Sequence, residues 1–172
     1  MQCSDLFYFE SQLRSDHFGS LDQLRDLAIS FCKIRQLPPR TFVGLTRLRH
    51  LAIHTHNSDW TSLSLQVQFG RSRRLRKESF KIHYFQPDYE AFVGLDLLES
   101  LDLSDNNMQA LPKGLLCPLV NLKTLNLSRN AIDSLQGLGL ADQCGVVRDS
   151  LNLETLVLAD AGLKTATPGN EP

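Results

Sequence analysis

Apolar residues recur along this chain at fixed offsets. Leu98, Leu101 and Leu103 are followed by Asn106, and Leu122, Leu125, Leu127 and Asn130 repeat the spacing further on. Leu153, Leu156 and Leu158 repeat it again, with Ala161 in the asparagine place. Upstream, Leu24, Leu27, Ile29 and Cys32 keep the rhythm; Leu48, Leu51 and Ile53 keep it with His56 as the closing residue. In each set the last two apolar residues are two positions apart, the period of a strand that buries one face. Five short strands are therefore predicted, one per set, with small or polar residues on the opposite face.

A second register lies between these sets. "TFVGL" (41–45) and "AFVGL" (91–95) are near copies, and "HFGSL" (17–21) and "GLLCPL" (114–119) are weaker ones. Leu21 to Leu45 and Leu95 to Leu119 are both steps of 24. Self-similarity at this period marks a stacked array, in which each unit buries its apolar face only against its neighbours. The unit L-x-x-L-x-L-x-x-N is a leucine-rich repeat. The chain reads as an α/β solenoid: short parallel strands on the concave face, irregular or helical segments on the convex face, truncated at both ends. One array covers 1–172, with repeats at about 24–47, 48–97, 98–121, 122–152 and a partial one at 153–172.

Each position then has a physical role. The leucines fill the coil. The closing residue turns the chain, and an asparagine there both donates to and accepts from backbone groups that would otherwise be unmatched. Cys32, His56, Asn106 and Asn130 form this turn ladder. None of these residues carries chemistry. Recognition falls instead to the outward strand positions: Asp26, Ala28 and Ser30; His50, Ala52 and His54; Ser100, Asp102 and Ser104; Thr124, Asn126 and Ser128; Thr155, Val157 and Ala159. This small, polar mosaic suits a protein partner better than a deep small-molecule pocket.

Composition changes the picture little. The 172 residues are 42% hydrophobic and 22% charged, with net charge −1, so no global field favours nucleic acid or an anionic membrane. No apolar run is long enough for a membrane helix, and "MQCSDLFYFE" lacks the basic and apolar regions of a signal peptide. No phosphate loop, nucleophile elbow or metalloprotease motif occurs, so no enzyme and no cofactor is expected. His50, His54 and His56 suggest a metal cluster, but His56 takes the inward turn position while the other two face out.

The 24-residue unit with F-x-G-L resembles extracellular leucine-rich repeats. With "CSDLFYFESQL" (3–13), "RDLAISFCKIRQLPPRTFVGL" (25–45) and "HTHNSDW" (54–60), the chain resembles the insect Toll receptors, closest to the long Tolls of the 18-wheeler type. The resemblance covers most of 1–66 and 87–158. It implies the amino-terminal part of an ectodomain, outside the plasma membrane. The implied partner is a protein ligand of the cystine-knot cytokine type, or a partner receptor. An intracellular leucine-rich scaffold is the alternative, distinguished by redox state: a Cys117–Cys144 bridge under the receptor reading, four thiols under the scaffold reading. Asn126-Leu127-Ser128 is the one N-glycosylation sequon, used only on a secreted chain.

One step breaks the period. Leu48 to Leu98 is 50 residues, and residues 67–86, "VQFGRSRRLRKESFKIHYFQ", carry no leucine ladder. Without that insertion the step holds one repeat. It reads as a basic loop for anionic partners, a processing site at "RSRR" (71–74), or a retained intron. The last accounts for the length, the composition and both boundaries.

Overall fold

The computed structural model describes residues 13–30, 34, 36–55, 85–134, 136–138, 140, 144 and 152–163. Among them are seven strands: β1 (Asp26–Ser30), β2 (Gln36–Leu37), β3 (His50–His54), β4 (Gln86–Pro87), β5 (Ser100–Asp102), β6 (Thr124–Asn126) and β7 (Thr155–Val157). Expectations for Cys32, His56 and residues 67–84 lie outside the described residues.

β1, β3, β5, β6 and β7 form one parallel sheet in that order. The second leucine of each repeat makes a continuous rung through Leu27, Leu51, Leu101, Leu125 and Leu156. β3 pairs directly with β5, so the 50-residue step from Leu51 to Leu101 is a single turn of the coil. The 31-residue step from Leu125 to Leu156 is likewise one turn. Between strands the rungs continue through shared acceptors: the amides of Glu99 and Ser100 both donate to the Arg49 carbonyl, and those of Lys123 and Thr124 to Glu99.

β2 and β4 make a second parallel pair, Gln36 with Gln86 and Leu37 with Pro87. Phe85 is buried in the core. The last two residues of 67–86 thus belong to the coil, and the array resumes before Pro87. The physical reason is plain: Phe85 supplies core volume and Gln86 supplies backbone to Gln36.

The core is a column of repeat leucines. Leu48, Leu98, Leu101, Leu103, Leu122, Leu125 and Leu127 are fully buried. Beneath the turns, Phe18, Phe42 and Phe92 stack one repeat apart, with ring centroids 5.5 and 6.0 Å apart. Leu116 continues that column, also buried. The convex side is irregular: two 3₁₀ turns, Ser15–Phe18 and Gln136–Leu138, and no α-helix among the described residues. The glycine of F-x-G-L closes each turn in left-handed backbone, φ +100° at Gly44 and +93° at Gly94. At Gly44 a Cβ would also stand 3.1 Å from the Gly19 Cα.

Cys117 and Cys144 are disulfide-bonded, 27 residues apart in sequence. The bridge spans from one convex segment to the next and closes the expanded repeat. Replacing both cysteines by serine should lower stability by about 3.5 kcal/mol on the loop-entropy relation, read as a shift in the urea midpoint. An unchanged midpoint would show that the expansion is held by other contacts.

Candidate functional site

The outward positions of the five-stranded sheet form the concave face. On β1 and β3, Asp26, Ala28 and His50 are exposed, and Ser30, Ala52 and His54 are half-buried. On β5 and β6, Ser100, Asp102, Thr124 and Asn126 are half-buried. On β7, Thr155 and Val157 are exposed, as is Ala159 just beyond it.

Ser104 and Ser128 are not part of this face: they are 3% and 8% exposed. Strand alternation would turn them outward, but β5 and β6 end two residues earlier. Asp102 Oδ1 accepts the Ser104 amide at 2.8 Å. Asn126 Oδ1 accepts the Ser128 amide at 3.0 Å and its hydroxyl at 2.6 Å. These side chains fold over the ends of their own strands, and the serines tuck beneath them.

Behind the face lies the turn ladder. Asn106, 1% exposed, donates through Nδ2 to the carbonyls of Ile53 (2.6 Å) and Leu103 (2.9 Å). Its Oδ1 accepts the Thr55 amide and hydroxyl, both at 2.8 Å. Asn130 donates to Leu103, Leu127 and Ser128 and accepts the Met108 amide at 2.9 Å. Each amide therefore ties its own repeat to a neighbour. Thr55 is the partner that sequence reading missed, because it has no counterpart at the repeat period.

Acidic and basic side chains meet across the strands. His50 Nε2 lies 3.9 Å from Asp26 Oδ1, both exposed. His54 Nε2 lies 3.3 Å from Asp102 Oδ1, off the N–H axis, and is itself shut off from solvent. The Asp102 contact raises the His54 pKa above its ordinary 6.5, against the opposing effect of burial. Burial pushes Asp102 up, but His54 and the Ser104 amide and hydroxyl outweigh it and hold the carboxyl well below its usual range. At the rim, Arg129 grips Asp105 through Nε at 2.7 Å and a second guanidinium nitrogen. Both residues, and Asp160 in the next repeat, sit in left-handed backbone at equivalent positions.

The sign of the pH dependence follows. His54, with a raised folded pKa, contributes stability that is complete below 6.5 and fades as pH rises through the folded value. Asp102, with a lowered one, contributes stability present above 3.8 and lost on strong acidification. Asp102→Asn keeps the strand-end acceptor and removes the charge. It should cost up to about 1 kcal/mol near pH 5 and less near pH 9. A thermal-midpoint difference that does not change between those pH values would contradict the pairing.

Similarity to known proteins fits this architecture. A leucine rich repeat family model matches residues 88–132. Toll-like receptor 7 of Drosophila melanogaster is 42% identical over 159 residues, covering 92% of this chain and 10% of that receptor. Over that length the chain is a leucine-rich-repeat ectodomain segment of the Toll receptor type. Toll-like receptor 3 of Boselaphus tragocamelus is 32% identical over 124 residues, or 72% of the chain and 12% of the receptor. The chain thus spans roughly a tenth of the receptors it matches. A crystal structure of a TLR13–ssRNA13 complex is 20% identical, with a TM-score of 0.37, covering 90% of this chain and 29% of that one. No helix among the described residues of this chain is long and apolar enough to cross a membrane.

Proposed function

We propose that this Toll-type array is a protein-recognition surface on the extracellular side of a membrane-anchored receptor, and that it works through the outward positions of β1, β3 and β5. The division of labour between the two faces carries the reading. The inward leucines of the central repeats and the ladder residues Asn106 and Asn130 are buried, whereas Asp26, Ala28 and His50 are exposed on a polar mosaic. The Cys117–Cys144 bond supports an oxidising compartment over an intracellular scaffold. Resemblance to the long Tolls brings two partner classes, a secreted cystine-knot protein or a second receptor.

A photoreactive residue placed at Ala28 or Ala52, on chain added to intact cells, should form adducts with extracellular or cell-surface proteins. The same residue at Val43, exposed on the convex side, should form few. Equal or greater labelling from Val43 would overturn the concave assignment.

A further inference from the structure

We propose that Asn126 carries an N-linked glycan that occupies the β6–β7 half of the outward face and confines the protein partner to β1, β3 and β5. Asn126 lies on the outward side of β6, in register with Asp102 on one side and Val157 on the other. Its two amide atoms are used unequally. Oδ1 accepts the Ser128 amide and hydroxyl, while Nδ2 donates to nothing among the described residues.

The preceding repeat shows that the fold needs only the acceptor. Asp102 stands at the equivalent place, has no N–H to offer, and makes the same strand-end contact to Ser104. In glycosylation the Asn126 nitrogen displaces the diphosphate of a lipid-diphosphate-linked oligosaccharide at the sugar's anomeric carbon. An N–C bond forms, the C–O bond to the diphosphate breaks, and one amide proton is lost to base. Oδ1 is untouched, so the turn survives modification.

The surroundings leave room and give the sugar a reason to stay. Every outward residue of β5, β6 and β7 is small: Ser100, Asp102, Thr124, Asn126, Thr155 and Val157. Val157 is exposed beside Asn126, an apolar spot that a sugar ring would cover. The acidic and basic side chains on the strands themselves are Asp26, His50, His54 and Asp102, all on β1, β3 and β5, and β6 and β7 carry none. The uncharged half thus takes the glycan and the charged half remains for protein.

The proposal rests on the extracellular placement above, and its test separates the two. The full chain is expressed in insect cells behind an added cleavable leader, and the Asn126 peptide is read by mass spectrometry from medium and cell pool together. Most of that peptide should carry glycan. Peptide N-glycosidase in heavy-oxygen water should convert Asn126 to labelled aspartate and leave a soluble folded chain, as Asp102 foretells. Asn126→Gln and Ser128→Ala should abolish the modification, and Ser128→Thr should keep it. Unmodified Asn126 in both pools would overturn the site while leaving recognition on β1, β3 and β5 standing. A glycosylated chain that forms no concave adducts would reject the recognition reading alone.

Discussion

Asn106→Ala should destabilise the chain by about 4 kcal/mol, because several buried backbone groups each lose a partner at a cost of about 1–3 kcal/mol. The carboxamide joins the Ile53 carbonyl of one coil turn to the Leu103 carbonyl of the next, and holds Thr55 at both its amide and its hydroxyl. The carboxamide itself is 1% exposed, so solvent does little to make good the loss at the Ile53 carbonyl. Asn106→Asp should fare no better. It keeps an acceptor for Thr55 but sets a carboxylate against two carbonyl oxygens. Urea unfolding measures the difference. A loss under about 1 kcal/mol would mean that the ladder amide is solvated.

Phe92→Ala should cost a similar amount, about 4 kcal/mol, for a different reason. Phe92 is fully buried at the end of the ring stack, 6.0 Å from Phe42. Truncation removes most of a large side chain, and the coil on either side is pinned by strand pairing and cannot collapse into the void. Phe92→Leu should cost much less, about 1–1.5 kcal/mol, because Leu116 fills the same place one repeat later and is itself buried. If both variants unfold at the same denaturant concentration, the column is not packed as described.

The inward half of the molecule was legible from sequence because the coil uses one residue type for one task. Leucine at fixed offsets has to bury itself, and asparagine at the turn serves backbone on both sides, so a single repeat predicts the others. The outward half was legible only as far as the strands run. Period-two alternation carried past Asp102 and Asn126 assigns Ser104 and Ser128 to the surface, yet the preceding Asx side chains fold the chain inward. The signal was present in "DLS" and "NLS", where an Asx residue stands two before a serine.

Contacts between distant residues were less legible. His54 meets Asp102 only because β3 and β5 are neighbours, and no local pattern fixes that across a 50-residue step. Phe85 escaped for the opposite reason: it sits in a segment with no leucine rhythm, though its own side chain is core material.

The central claim is that inward residues make the fold and outward ones make the contact. It is tested most directly by the affinity of a cross-linked partner, once identified, for immobilised chain. Ala52→Arg, on the outward side of β3, should weaken binding at least tenfold while leaving the urea midpoint in place. Lys113→Glu, on the exposed convex side, should leave binding within a factor of two. If Lys113→Glu were the more damaging change, the concave assignment would be contradicted.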